Sequence, residues 1–444
     1  MLDFILGFLQ TPALIVGLVA FIGLILQQKK AGEIFSGTIK TAIGLLIISA
    51  GSGILVGEIL PFVGLFQDVT GLQGFATSSE SVVAATQTTI AVVARTSSLI
   101  MAIGFIVNIV LARITPLKYV FLTGHMMWIL SVTVAWALYA LGLNDVMIIV
   151  LGSLLQGVFQ TMLPAISQPI VRELTGSNDF AVAHLTTLGT TAAGYIGGLV
   201  GNKEKDAEDL ELPDSLEFFK DTAIAISLIM IIFFVGLAIV GGPSAVAPYA
   251  QGQNFIIFML LKALGFTGGV LVLLYGVRMF LGEIVPAFKG IADKVIPNAI
   301  PALDVPALFG FAPNSLMIGF VSAVVGMLVA MVVSSLVFKT APLVSIIGAF
   351  FTGGVAGIFG NARGGTRGAI VAGFVYGFLL IFLSGMAFVV FDFAALGSAG
   401  VGHDCIDAIA IMLLFKYWYI GVPLIVIAYL WLCRQEIVYQ KSQN

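Results

Sequence analysis

The chain has 444 residues, of which 59% are hydrophobic and 10% charged, with a formal net charge of −3. Soluble domains carry about 25% charged residues, so this composition excludes an ordinary soluble protein and implies an all-α polytopic membrane protein with the lipid bilayer as its first partner. No basic patch or arm is present to neutralise phosphates, which excludes nucleic acid as a partner.

A helix needs about 20 apolar residues to cross about 30 Å of hydrocarbon. Thr11–Gln27 is the first such stretch; without a basic n-region or cleavage site before it, Met1–Gln27 reads as mature protein. Lys29, Lys30 and Lys40 follow, which places the first loop in the cytoplasm and the N-terminus outside. Thr38–Gly57 is the second span. Its small residues Gly44, Ser49, Ala50, Gly51, Ser52 and Gly53 predict close helix packing, with Gly51 the one placed both to pack and to touch a ligand.

Leu72–Thr89 carries nine serine, threonine and glutamine side chains, among them Ser79, and predicts a re-entrant or buried hairpin. Spans recur at Ser98–Ala112, Tyr119–Leu141 and Val146–Leu163. Pro164 and Pro169 then open a stretch read as irregular, holding Arg172 and Glu173 and ending in GSNDFAVAHLTTLGTTAAGYIGG (176–198). Asn202–Asp221, with eleven charges, is a solvated loop between two halves.

Thr222–Val240 and Phe255–Met279 resume the spans, followed by Gly282–Ser315, where Pro297, Pro301, Pro306 and Pro313 forbid a continuous helix around Asp304. Broken backbone and a carboxylate are both expensive in lipid, so both are expected to face protein or a water-filled cavity. Further spans follow at Leu316–Val337, Val344–Gly360, Ala369–Val390 and Ile411–Leu432, with GNARGGTRG (360–368) as a solvated basic loop. Arg434 and Lys441 place the C-terminus in the cytoplasm, and the count is about eleven spans. The domain reading is a first half (1–200), the charged cytoplasmic loop (201–221), a second half (222–410), and a final span with its tail (411–444).

The halves resemble each other. GEILP (57–61) returns as GEIVP (282–286), 225 residues later, and at that offset Asp68 falls on Asp293 and Ser79 on Asp304. After a length change SSLIMAIGF (97–105) resembles NSLMIGF (314–320), and Thr123-Gly124 aligns with Thr352-Gly353. Such internal symmetry is common in transporters, and an odd number of spans between copies makes them inverted.

An aspartate at bilayer depth costs about 2.5–3.5 kcal/mol on insertion scales, so Asp304 reads as a functional group. The three histidines are His125, mid-span in LTGHMMW, His184 and His403. A neutral imidazole both donates to and accepts from a hydroxylated ligand, although a structural role satisfied by a carbonyl is an equal reading for His125 and His184. His403, Asp404 and Cys405 are adjacent and do not face one another on a helix, which argues against a nucleophilic site. Arg278 and Glu283 read as an ion pair or interfacial groups. Cys405 and Cys433 lack metal-ligand spacing, so no metal or cofactor is expected.

GTIKTAIGLLIISAGSGIL (37–55), LTGH (122–125), GVRMF (276–280), ALD (302–304) and FAPN (311–314) together resemble the ascorbate-type membrane component, enzyme IIC, of the bacterial sugar phosphotransferase system. The resemblance implies a homodimer in the bacterial inner membrane, with about eleven spans, inverted repeats, and a mobile core that carries substrate past a fixed dimerisation domain. It implies that Gly51, Ser79, His125, His184 and Asp304 line the substrate pocket, and that a separate IIB subunit, phosphorylated on cysteine, donates the phosphoryl group. This chain by itself then catalyses nothing. Ile129 and Leu185 stand where ascorbate members are expected to carry glutamine, and Ser79-Glu80 where Thr-Tyr is expected, so the substrate is ascorbate or a related sugar acid or sugar. The competing reading is an ion-coupled secondary transporter with Asp304 as its coupling site; a passive channel or membrane scaffold fits the broken repeats poorly.

Overall fold

Long apolar runs in hydrocarbon must satisfy their own peptide groups, and a helix does so within one segment. The computed structural model describes residues 11–70, 79, 82, 83, 86, 89–210, 222–294, 296–340, 342, 344–393 and 405–443. Its long helices are α1 (Pro12–Leu26), α2 (Ala31–Thr70), α3 (Ala91–Ile114), α4 (Gly124–Ala140), α5 (Asp145–Thr175), α6 (Thr187–Val200), α7 (Thr222–Ala250), α8 (Phe255–Lys294), α9 (Pro313–Phe338), α10 (Gly354–Val390), α11 (Ile406–Lys416) and α12 (Trp418–Gln443). Among the described residues, eight helical stretches are long and apolar enough to cross a membrane.

Several expected boundaries move. Helix α5 runs straight through Pro164 and Pro169 and stops only at Gly176, whose φ of +66° suits glycine. A helix packed among neighbours, as this one is, tolerates proline because those neighbours and small local adjustments take up the freed backbone groups. Helix α8 likewise passes Pro286, so the broken segment begins after Lys294 rather than at Gly282. The stretch Ile411–Leu432 is not one span, since the helix breaks at Tyr417 between α11 and α12. GNARGGTRG is not an open loop: helix enters and leaves it, and only Gly364 and Gly365 depart, Gly365 at φ +62°. The two arms fold back on each other there, with Gly360 against Gly368 and Ala372. Of the polar hairpin 72–89, Ser79, Val82, Val83 and Thr86 are helical and buried at the spacing of one helix face, and most of the remainder lies outside the described residues.

Helices α2 and α8, 40 residues each, contain GEILP and GEIVP at matching positions and pack antiparallel. Gly44 sits against Phe280 and Gly276 against Ile48, while Gly269 sits against Leu55 and Gly51 against Leu273. Shifting each partner by 225 residues converts the first two contacts into the last two. The glutamates of the two motifs are both ion-paired across this interface, Glu283 with Lys40 at 3.2 Å and Glu58 with Lys262 at 3.0 Å. Helices α1 and α7 complete this group. In the remaining group α3 lies parallel to α5, Gly152 meeting Ile100 and Gly104 meeting Gln156. Helix α9 lies parallel to the second arm of α10 in the same way, Gly373 meeting Gly319 and Gly377 meeting Ala323.

Within that second group lies a feature the periodicity did not signal. Tyr119–Leu141 is a strand followed by a helix, and three short parallel strands form one sheet in the order β1 (Tyr119–Phe121), β3 (Ile300–Leu303), β2 (Ala181–Val182). All three are buried. Pro301 is tolerated in the central strand because Ile300 sends its N–H to Lys118 on the β1 side. Pro301's missing N–H therefore falls on the β2 side, where pairing starts only at Ala302. The outer edges are closed by side-chain amides. Asn108 of α3 donates to the Tyr119 carbonyl and accepts from the Phe121 N–H, both at 3.0 Å, as another strand would. Gln168 of α5 donates to the Phe180 carbonyl at 3.0 Å beside β2. Below the sheet, Arg172 pairs with Glu436 at 2.8 Å, Tyr119 donates to the same carboxylate, and Tyr439 lies over the guanidinium, which ties α12 to the sheet.

Replacing Asn108 by leucine keeps the volume but strips both bonds, leaving a buried C=O and N–H unpaired at about 1–3 kcal/mol each. Asn108→Leu should lower the melting temperature of the detergent-solubilised protein more than Asn108→Asp, which retains the acceptor. A melting curve for Asn108→Leu superimposable on that of the parent would show that the edge is satisfied by other means.

Candidate functional site

In parallel sheets ligands gather beyond the carboxyl ends of the strands, and here each strand delivers one polar residue to that end. β1 runs into Leu122, Thr123 and then His125 in the first turn of α4; β2 runs into Ala183 and His184; β3 runs directly into Asp304. The Leu122 N–H donates to the Ala302 carbonyl at 2.9 Å and the Ala183 N–H to the Leu303 carbonyl at 2.7 Å, so the ladder extends to the edge of the site.

Asp304 is anchored by its own turn, its carboxylate accepting from the Val305 N–H at 2.8 Å and capping the short 3₁₀ helix Val305–Leu308. The carboxylate lies between two imidazoles. His125 Nε2 stands 3.7 Å from one oxygen and His184 Nε2 4.0 Å from the other. The rings are 6.3 Å apart and inclined at 72°. These separations exceed hydrogen-bond length, so a small guest can interpose its own donors and acceptors. His125 is 43% exposed at its side chain and His184 only 5%. Two buried polar atoms here have no protein partner among the described residues: His184 Nδ1 and Thr123 Oγ1.

The cavity in front measures about 180 Å³. Thr123, His125 and Asp304 form its polar side, and Leu45, Ile48 and Phe280 are among the apolar residues facing them. Thr123, His125 and Asp304 come from the sheet group, and the facing residues of α2 and α8 are apolar apart from Ser49. No lysine or arginine lines it.

The five expected site residues divide. His125, His184 and Asp304, far apart in sequence, meet. Ser79 is buried behind them, donating to Cys405 Sγ at 3.6 Å, while the Asp407 N–H bonds the Leu185 carbonyl at 3.2 Å, next to His184. Gly51 packs on Leu273, and α2 lines the cavity instead through residues that include Ser49, two positions earlier. Ile129 and Leu185 are fully buried in the apolar core. His403 and Asp404 lie outside the described residues. Glu283 pairs with Lys40, away from the cavity.

The sequence reading passed over three residues. Thr123, noted only as a repeat marker, lines the cavity. Asp407 is fully buried and holds the start of α6, accepting from Thr187 Oγ1 and the Leu188 N–H at 3.0 Å and from the Gly189 N–H at 3.2 Å. A carboxylate at a helix N-terminus satisfies groups that have no partner inside the helix, and here it fixes the segment that carries His184. Tyr376 adds a 2.5 Å hydroxyl contact with Thr186. Their signal was a tertiary one, since nothing near Asp407 in sequence names its partners. At the other end of the broken segment Glu208, from the charged loop, accepts from the Asn314 N–H at 3.0 Å and the Ser315 N–H at 2.8 Å, capping α9.

The profile of one protein family, described as the sugar-specific permease component of the PTS system, matches residues 7–404. The ascorbate-specific PTS system EIIC component of Mycoplasma pneumoniae is 28% identical over 435 residues, covering 86% of this chain. The chain spans 65% of that relative's length.

Proposed function

The chain belongs to the family of PTS sugar-specific permease components and is a multi-pass membrane protein, and we propose on that premise that it binds ascorbate or a related sugar acid or sugar and carries it across the bacterial inner membrane. The observation that carries this reading is the convergence of His125, His184 and Asp304 at the ends of three buried strands, on a cavity closed by an apolar wall. Neutral imidazoles donate and accept, and a carboxylate accepts, which together match the hydroxyls of a sugar-like ring. Ser79 and Gly51 support the pocket from behind and from α2.

The division of the walls supports an elevator-type movement. His125, His184 and Asp304 all sit on the sheet group, and the face of α2 and α8 opposite them, apolar apart from Ser49, is what it would slide along. The contacts exchanged at the 225-residue offset support two inverted copies, with a homodimer formed on the fixed group. A phosphorylated IIB subunit then transfers its phosphoryl group to a substrate hydroxyl presented at the cytoplasmic side, and this chain supplies position only. Asp304 poised between two histidines also suits ion coupling, so energy coupling is the discriminating property. In membrane vesicles, uptake should require phosphoenolpyruvate and the soluble phosphotransferase proteins, with phosphorylated product inside. Accumulation of unmodified substrate that collapses with a protonophore would falsify this reading.

Lys29, Lys30 and Lys40 after the first span and Arg434 and Lys441 after the last support an N-terminus outside and a C-terminus in the cytoplasm, together with the 201–221 loop. A cysteine at Asn202 should react with impermeant thiol reagents from the cytoplasmic side alone, and labelling from outside would reverse the orientation.

Asp304→Asn preserves shape but turns an acceptor into a donor. Hydrogen bonds to a charged group are worth about 1.5–3 kcal/mol, so substrate affinity should fall roughly tenfold or more. Ser79→Ala, which removes a buried hydroxyl bonded to Cys405 behind the site, should lower affinity less than Asp304→Asn does. Equilibrium binding to the purified protein measures both. Unchanged affinity in Asp304→Asn with transport abolished would move Asp304 from the pocket to the coupling machinery.

A further inference from the structure

We propose that His125, His184 and Asp304 also form a site for a divalent transition-metal ion of the zinc class, and that occupation of this site blocks the pocket. Each residue offers one ligand atom, and the three atoms lie within 4.8 Å of one another. Two imidazole nitrogens with one carboxylate oxygen are a donor set that favours Zn²⁺, Co²⁺ or Ni²⁺. Mg²⁺ and Ca²⁺ demand a fuller shell of oxygen ligands.

Binding requires the ligand atoms to draw together. Tetrahedral Zn²⁺ at about 2.0–2.1 Å from each ligand atom holds those atoms roughly 3.3 Å apart, whereas the three, one per residue, are here up to 4.8 Å apart. His184 and Asp304 are held by the sheet and by the 3₁₀ cap. His125 is the exposed member, and its side chain can rotate inward to close the triad. The fourth position then faces the cavity, open to water.

Affinity should be moderate. Ligating histidines gain about 10–100-fold from a partner on the second ring nitrogen, and His184 Nδ1 has none among the described residues. Because substrate and ion would use the same three side chains, the ion should act as a competitive inhibitor.

The experiment is calorimetric titration of the purified, detergent-solubilised full chain with Zn²⁺, repeated with Co²⁺ while recording its visible absorption. One ion should bind per chain, with intense Co²⁺ bands typical of four-coordination and no displacement by millimolar Mg²⁺. His125→Gln, at an exposed position that leaves the fold intact, should weaken binding at least tenfold, and Asp304→Asn should do the same. No saturable binding, or binding of equal affinity in His125→Gln, would overturn the proposal. In vesicles Zn²⁺ should raise the apparent KM for uptake without lowering the maximal rate, reversed by chelator, and a fall in maximal rate alone would dismiss the competitive role. The titration involves no substrate, so failure of the transport reading would leave the metal site separately decided.

Discussion

A peptide group buried away from water must be paired, and that requirement shapes the centre of this protein. The chain breaks its helices where it needs polar side chains deep inside, and each break frees N–H and C=O groups that lipid cannot solvate. Three such breaks repair one another by forming a parallel sheet only two to four residues long per strand. A sheet so short has edges as long as its interior. Asn108 and Gln168 reach those edges from the flanking helices and pair part of them on both sides.

The sheet also explains why the site is where it is. Strands from both halves of the chain run in the same direction, so their carboxyl ends lie together and the next residues of each, His125, His184 and Asp304, converge without any of the three being near another in sequence. Supporting bonds arrive from further away. Asp407 holds the helix after His184, and Glu208 holds the helix after the Asp304 segment. These carboxylates sit at helix N-termini, where unpaired N–H groups and the helix dipole both favour negative charge.

The opposite face of the cavity is built on another principle. Small residues let α2 and α8 approach closely over 40 residues, and ion pairs at Glu283–Lys40 and Glu58–Lys262 fix their register. What this pair presents to the site is apolar apart from Ser49, whose hydroxyl is bonded back to the Leu45 carbonyl. The polar residues His125 and Asp304 at the strand ends thus face a wall that is mostly apolar.

Composition alone determined the membrane setting, because 10% charge cannot solvate a chain of this length. The prolines around Asp304 marked the broken segment, and the recurrence of GEILP as GEIVP marked two 40-residue helices that pack as partners. Scarcity made His125 and His184 legible, since three histidines in 444 residues stand out. Other features depended on contacts distant in sequence. Strands of two to four buried residues carry no periodicity to detect, so Tyr119–Phe121 read as the start of a helix. Pro164 and Pro169 read as a break, yet buried partners allow the helix to pass them. Gly51 read as a pocket residue because small residues serve both packing and ligand approach, and the structure seats it against Leu273. Asp407 and Asn108 have functions set entirely by which unpaired peptide groups the fold brings within 3 Å of them, and local sequence holds no record of that.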